Sequence, residues 1–524
     1  MEGLPPVGRE LWSARVAATP GRPFLLSGGR AWTFAECDAV VREIAAGLAG
    51  LGVVPGARVL VGLSNRAETV PVQLALQQLG AVHIPLLGGL TFDELAYQVD
   101  HSEAGILIAD DSVAATLLPR RDEWPREIRV VLTADAMAAH APDDAVSLDD
   151  LRAGGGAPPP PPPGYDEWSP VAILYTSGST GRPKGVVLPS GSFFSCGHAF
   201  ADRYGIRADD NLFLPTPLAH AVGALTAMSI ALHTGCRLTV VDRFSPGEFW
   251  RQVAESEATA CILFPAHLNL LLETEGSAPA AGATTLRLII THTWIEPFRE
   301  RFGVELATVW GMTETGALSV GGDPGEPGGE GFVGRPMIGV DVQVIDEELR
   351  PAAAGVVGEI CLRHRHVMLG YLKNPEATAS SLADGWVRSG DLGFLDEAGA
   401  LYFAGRLKNV IKRAGENISA EEVEAALAAH PDVVEALVVG VPDRLRTEEV
   451  GAIVVARPGT DLDPAALVAA LAGRMARWKL PRYVALSTSP LPRLGNGKID
   501  RVGARRLLDP ARAWDRERPS PAAR

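Results

Sequence analysis

Hydrophobic positions along this chain follow two periods, and the switch between them repeats. Over residues 35–51 apolar side chains recur three and four apart, which predicts a helix with one buried face. Residues 58–63 and 105–108 are short apolar runs of strand length, and the run at 171–175 continues the alternation past residue 165. Helices laid over sheets explain that punctuation, so the pattern predicts an α/β fold. Beyond residue 405 the elements become shorter. Ser419 is placed to cap a helix whose first turn carries Glu421 and Glu422, acids that complement the helix dipole. Strands over 435–441 and 451–456 and a helix over 463–476 follow. The chain therefore reads as a large N-terminal domain of layered mixed sheets and helices, 1–405, and a small mobile α+β C-terminal domain, 406–524. Its Arg- and Pro-rich tail after about residue 508 reads as poorly ordered.

Three stretches break the pattern. Residues 154–164 hold six consecutive prolines, so they are neither helix nor inner strand, and they read as a loop between two subdomains. Residues 321–331, rich in Gly and Pro, read as a surface connection. Residues 212–236 contain no Asp, Glu, Lys or Arg, yet Pro215, Pro217 and His220 interrupt the run of about 20 apolar residues that a membrane span needs. Residues 218–232 are read instead as a buried core helix, and no span is expected.

Composition narrows the function. In 524 residues, 48 Lys and Arg stand against 63 Asp and Glu, a net charge of −15 that disfavours a broad nucleic-acid-binding face. Cys37, Cys196, Cys236, Cys261 and Cys361 show neither zinc-ligand nor disulfide spacing, there is no H-E-x-x-H, and the N-terminus shows no secretory signal. A cytoplasmic protein without zinc or redox cofactor is expected. The candidate chemistry begins at 171–187, VAILYTSGSTGRPKGVV. A strand runs into Thr176, Ser177, Gly178, Ser179, Thr180 and Gly181, then Lys184. Glycines free backbone N–H groups to face an anion, hydroxyls add donors and the lysine adds charge, a set suited to polyphosphate. It is not the G-x-x-x-x-G-K-[ST] loop of the common nucleotidases.

YTSGSTGRPKG resembles the signature of the adenylate-forming superfamily, which includes acyl-CoA synthetases, carrier-loading adenylation domains and luciferases. Further motifs appear in that family's order: GAVHIPLLGGLTFDEL at 80–95, LPTPLAH at 214–220, WGMTET at 310–315, GEICLRHRHVMLGY at 358–371, GWVRSGDLG at 385–393, GRLKNVIKRAGENISAEEVE at 405–424 and LPRLGNGKIDR at 491–501. The resemblance runs from about residue 10 to about residue 505. It implies two half-reactions. A carboxylate attacks the α-phosphorus of ATP to give an acyl-adenylate and pyrophosphate, and the thiol of coenzyme A then displaces AMP. Both steps build negative charge on oxygen, so fixed donors and cations matter more than a strong base.

The matching positions carry implied roles. Thr313 donates to the α-phosphate and Glu314 holds Mg²⁺. Trp310, followed by Gly311, offers a flat face to adenine. Asp391 takes the ribose hydroxyls and Arg406 helps to hold the nucleotide. Lys498 bridges carboxylate and phosphate during adenylation. Lys408 is the hinge, followed by Asn409 where many members have Asp, and Gly415 lies on the path of the pantetheine arm. His220 gates the acyl and pantetheine channels. The chain departs from the family at 289–302, where Thr291, His292, Thr293 and Trp294 replace a Gly-rich loop that walls the acyl pocket. Thr291 and Trp294 are assigned to that pocket, and a small or medium acid, polar or cationic rather than a long fatty acid, is expected. His267 and His292 are candidates for its lining or for core and surface roles, and His364 and His366 are read as structural residues within a strand. The 289–302 departure and the RAGENIS string are similar to crotonobetaine/carnitine–CoA ligases. Two rivals stand beside the ligase: an adenylation enzyme loading a carrier protein in trans, and a binding relic without activity. The presence of Glu314, Asp391, Arg406 and Lys498 weighs against the relic. The implied partners are a carboxylic acid, ATP and CoA. The sequence does not name the acid or the oligomeric state.

Gly415→Leu is expected to block thioester formation while acid-dependent ATP–pyrophosphate exchange stays near wild type, because a side chain obstructs only the pantetheine path. An equal fall in both activities would make Gly415 a structural residue only.

Overall fold

The computed structural model describes residues 5, 7–154, 160, 162–176, 183–274, 279, 282–317, 319–413, 416–443, 446–472, 475, 477–493 and 498–518. The chain divides into two compact units. The first is Met1–Val342 with Cys361–Ser389 and Ala398–Leu401; the second is Gln343–Ile360, Gly390–Glu397 and Tyr402–Arg524. Among the described residues no helix is long and apolar enough to cross a membrane.

The first unit is built on two mixed sheets. One runs Phe332–Pro336, Val320–Gly321, Glu305–Trp310, Leu288–Thr291, Ala260–Ile262, Asn211–Leu214, Arg237–Val240, Pro23–Ser27, Arg30–Thr33, and its six strands from Glu305–Trp310 to Pro23–Ser27 are all parallel neighbours. The other runs Gly370–Tyr371, Lys184–Pro189, Pro170–Thr176, Val82–Pro85, Arg58–Gly62, Ile106–Ala109, Arg129–Leu132, Val146–Ser147. Its strands from Pro170–Thr176 onward are parallel, and the first two pairings are antiparallel. Parallel strands covered on both faces need apolar residues at nearly every position, which is why Val82–Pro85 and Ile106–Ala109 are buried throughout. The helix Phe34–Gly50 shows the other period: Phe34, Cys37, Val41, Ile44 and Leu48 form its buried stripe. Its start is fixed by Thr33, whose hydroxyl accepts from the Glu36 N–H while the Glu36 carboxylate accepts from Thr33 N–H.

Four expectations are corrected. The proline-rich stretch does not separate subdomains: Pro170–Thr176 beyond it pairs with Val82–Pro85 before it, so strands on either side of it share one sheet. Residues 218–232 are not one α-helix. Val222–Ala227 is wound as a π-helix before the α-helix Met228–Thr234, and Gly223 lets this turn approach the Pro217–Leu218 backbone, where a Cβ would lie 2.5 Å from Leu218 Cα. His364 and His366 lie beyond the strand Gly358–Arg363 rather than within it. Part of the tail is built into the sheet: Trp514–Asp515 pairs with Tyr483–Val484, and Asp515 accepts from Arg482 at 3.2 Å.

In the second unit one sheet runs Glu416–Ser419, Val410–Arg413, Thr447–Ala456, Tyr483–Ser487, Trp514–Asp515, with Val433–Asp443 also paired to Thr447–Ala456. Both of its faces are buried. Val438, Val450, Ala452 and Val454 face a core shared with Val423 and Leu427 of the helix Ala420–Ala428, whereas Leu437, Val439, Ile453 and Val455 pack with Leu491, Ala504 and Leu508. Successive strand residues supply opposite cores, which accounts for the unbroken apolar runs in the sequence. Within this sheet Glu449 is fully buried. Arg413 donates to it at 2.8 and 3.1 Å, and Arg446 also donates to it. Burial alone would raise the Glu449 pKa, but these two guanidiniums outweigh it and hold the carboxyl below the usual range.

Glu449→Ala is expected to destabilise the second unit by about 3–5 kcal/mol, since Arg413 becomes a largely buried cation without its carboxylate. Because the folded pKa is depressed, the wild-type contribution is present above the ordinary glutamate range and is lost as pH falls through the folded value. Urea unfolding followed by hydrogen exchange in Thr447–Ala456 checks both statements; a loss under about 1 kcal/mol would mark a solvated, weak pair.

Candidate active site

Four adjacent parallel strands of the first unit end where the candidate residues begin. Trp310 closes Glu305–Trp310, His292 follows Leu288–Thr291, Phe264 follows Ala260–Ile262, and His220 lies shortly beyond Asn211–Leu214. Ligands of α/β sheets bind at such carboxyl edges, because the loops there are free to vary. Trp310 and Thr291 are buried. Gly311 is required by close approach, since a Cβ there would lie 1.7 Å from Ser319 Oγ. Thr313–Thr315 then forms a single 3₁₀ turn. This turn is pinned from one side: Met368 N–H donates to the Glu314 carbonyl at 2.8 Å, and His364 Nε2–H donates to the Thr315 carbonyl at 2.9 Å. His364 Nδ1 accepts from His366 N–H at 3.2 Å, and burial lowers the His364 pKa to about 4, so the ring is a neutral, fixed clamp. His366 is held in turn, with Nε2 donating to Glu167 at 2.8 Å and Ser195 Oγ 2.7 Å from Nδ1.

Glu314 is a buried acid, and the Tyr371 hydroxyl donates to its Oε1 at 2.8 Å. Burial first, and the Glu314 charge second, push the Tyr371 pKa well up, so the phenol remains a donor. Tyr371 also carries Lys184 Nζ 4.7 Å from its ring centroid. Lys184 sits opposite Thr176 where Pro170–Thr176 pairs with Lys184–Pro189, and Tyr371 pairs with Val186 on the other side of that strand. The flanks of the segment expected to bind polyphosphate, Thr176 and Lys184, are thus fixed by paired strands, while Ser177, Gly178, Ser179, Thr180 and Gly181 lie outside the described residues.

On the side assigned to the acyl group, rings gather around Phe264. His292 stacks on it at 5.6 Å and 9°, His220 meets it edge-on at 5.4 Å and His267 lies 5.7 Å away. His292 Nδ1–H donates to the Val309 carbonyl at 3.0 Å. Trp294 has other neighbours. Its indole N–H donates to Glu296 at 2.6 Å, Arg299 lies 6.0 Å over its ring, and it packs on the core around Phe249 and Phe298.

The second unit brings three of the expected residues into one electrostatic neighbourhood. Arg406 Nε lies 3.1 Å from Oδ1 of the buried Asp391. Desolvation, followed by the Arg406 cation, lowers the Lys498 pKa, while Asp391 opposes the fall. The turn before Asp391 is tied by Gly390 N–H donating to Glu359 at 3.0 Å. Lys408 lies in the 3₁₀ turn Leu407–Asn409, and Gly415 lies outside the described residues.

Comparison with known proteins places the chain in a family. The family model for AMP-binding enzymes matches residues 12–372, and the model for the AMP-binding enzyme C-terminal domain matches 422–498. The chain belongs to the AMP-binding enzyme family, and within it to the acid–CoA ligase type of adenylate-forming enzyme. Among its relatives is a crotonobetaine/carnitine–CoA ligase of Escherichia coli O7:K1, 32% identical over 488 residues, covering 91% of this chain and 93% of that protein. The corresponding Salmonella paratyphi A protein is 31% identical, covering 90% and 92%. Among solved structures, the O-succinylbenzoate coenzyme A synthetase of Bacillus subtilis in complex with AMP superposes with a TM-score of 0.82 at 26% identity, covering 94% of this chain and 97% of that one. The same synthetase in complex with ATP and magnesium ion gives 0.80 at 26% identity, covering 94% and 99%.

Sequence reasoning gave no role to Tyr371, Phe264 or Glu359. Tyr371 ends the quoted GEICLRHRHVMLGY stretch, a signal that was present, whereas nothing local marks Phe264 as the centre of a ring cluster. Lys498→Ala is expected to lose about 10²–10³ in adenylation rate and to spare thioester formation from supplied acyl-adenylate. Lysine carries its charge only below its pKa, so the lowered value places the basic limb of adenylation below the ordinary lysine range, and Lys498→Arg should move that limb upward. Equal loss in both half-reactions, or a limb unmoved by arginine, would remove Lys498 from the first step.

Proposed function

We propose that this AMP-binding enzyme condenses a small or medium carboxylic acid with coenzyme A at the expense of ATP, through an acyl-adenylate. The observation that carries the proposal is the Glu314–Tyr371–Lys184 arrangement: a buried carboxylate and a cation on one ring, beside a loop sequence suited to polyphosphate. A single buried carboxylate is also the donor set that Mg²⁺ takes when phosphate oxygens complete its shell, so Glu314 fits as the residue that would hold it. Bound there, Mg²⁺ would offset the negative charge of the phosphates.

In the first half-reaction Thr313 donates to the α-phosphate, the 176–184 loop cradles the polyphosphate and Lys498 neutralises charge between carboxylate and phosphate. Asp391 accepts from the ribose hydroxyls, Arg406 holds the nucleotide, and Trp310 offers its face to adenine. In the second, the CoA thiol attacks the acyl carbonyl and AMP leaves. The small domain, 406–524, turns about Lys408 between the two, and Gly415 leaves room for pantetheine. A cytoplasmic setting suits a chain whose five cysteines are all buried.

The acyl side supports a short, polar or aromatic-compatible acid. His220, His292 and Phe264 present rings and imidazole nitrogens, with Thr291 buried behind them, whereas a long chain requires a deep aliphatic channel, at about 0.8 kcal/mol per buried CH₂. Trp294, bonded to Glu296, contributes by shaping the helix start rather than by facing a ligand.

A panel of carboxylic acids, assayed for pyrophosphate release, AMP formation and consumption of free CoA, tests the proposal. All three should appear with the same short acids. Turnover only with a phosphopantetheinylated carrier protein would identify a carrier-loading enzyme, and kcat/KM rising steadily from four to sixteen carbons would identify a lipid channel.

A further inference from the structure

We infer that Tyr371 is a positioning residue which couples the metal-holding acid to the phosphate-loop lysine, so that metal and polyphosphate are bound as one unit. The inference rests on the proposed ATP- and Mg²⁺-dependent reaction. Tyr371 sits between two segments that are far apart in sequence. Its hydroxyl donates to Glu314 Oε1 at 2.8 Å, and its ring face lies 4.7 Å from Lys184 Nζ. The backbone that carries the ring is held at three points. Tyr371 pairs with Val186, Tyr371 N–H donates to Thr378 Oγ1 at 2.9 Å, and Leu372 N–H donates to the Gly185 carbonyl at 2.8 Å. Gly370 makes the approach with a φ of 143°, a conformation that side chains resist.

This placement has two chemical consequences. A hydrogen bond to one carboxylate oxygen orients Glu314, and holding a metal-binding carboxylate from behind is how such residues tune metal affinity. The same phenol meets the carboxylate through its hydroxyl and the lysine through its ring face, so one side chain contacts both groups. The cation rests on a π face, worth only about 0.5–2 kcal/mol, and can be drawn away by a phosphate.

The test compares ATP binding by calorimetry with Mn²⁺ present, as a magnesium probe, and with EDTA, in the full-length chain. Tyr371→Phe removes only the hydroxyl and keeps the ring under Lys184. It should weaken Mn²⁺–ATP binding about 10-fold or more while metal-free ATP binding changes less than 2-fold, the range expected for a residue behind a metal ligand. Tyr371→Leu should weaken metal-free ATP binding as well, because Lys184 loses its ring. In a Glu314→Gln background the Tyr371→Phe change should add nothing to the metal-dependent difference. Wild-type protein with metal-dependent binding and a Tyr371→Phe variant that keeps it in full would overturn the positioning role alone. Equal weakening with and without metal would do the same, by showing a structural effect. Wild-type protein whose ATP binding ignores the metal would overturn the underlying reading as well.

Discussion

A carboxylate taken out of water must be held by a donor or a cation, and in the first unit that requirement falls on Glu314. Its neighbours follow from it. Tyr371 supplies the donor, the Gly370–Tyr371 strand is laid along Lys184–Pro189 to bring it there, and the segment before that strand folds back over the 3₁₀ turn. His364, kept neutral by burial, and the Met368 amide fasten the turn's carbonyls. Three sequence regions, near residues 184, 314 and 370, therefore serve one acid. An acid held in this way is a charge fixed in direction instead of one free to reorient.

The second organising constraint is the direction of the strands. Parallel strands deliver their following loops to the same edge of a sheet, and the order of strands decides which loops become neighbours. Asn211–Leu214, Ala260–Ile262, Leu288–Thr291 and Glu305–Trp310 are consecutive in the sheet. Their loops accordingly bring His220, Phe264, His292 and Trp310 to one rim, although about ninety residues separate the first from the last. The π-wound turn after His220 and the glycine at 311 are local departures from regular geometry placed at that rim, where irregular backbone often serves a ligand.

The second unit meets the same cost of buried charge in two ways. Glu449 sits under three guanidiniums, from Arg413, Arg446 and Arg482, in a network that secures one end of its sheet. Asp391 is also buried, with Arg406 Nε at 3.1 Å and Lys498 in the same field. The first arrangement holds charge for stability. The second gathers a carboxylate, a guanidinium and an amine in one neighbourhood, the kind of grouping that recurs where charged groups are perturbed for function.

The sequence by itself determined the class of this protein. The alternation of periods set the α/β layering, Ser419 marked a helix start through short-range capping, and ordered motifs such as YTSGSTGRPKG and WGMTET carried the family, because each depends on residues adjacent in the chain. Strand order and packing decided the rest. No local pattern says that strands on either side of the proline-rich stretch share one sheet, since the pairing of Pro170–Thr176 with Val82–Pro85 spans some ninety residues. None says that Trp294 bonds Glu296 and packs on a phenylalanine core, or that Phe264 gathers three histidines, because side-chain direction at a strand end depends on which strands flank it. Tyr371 was visible as a letter in a motif, but its contact with Glu314 and Lys184 exists only once an antiparallel edge strand has brought the segments together.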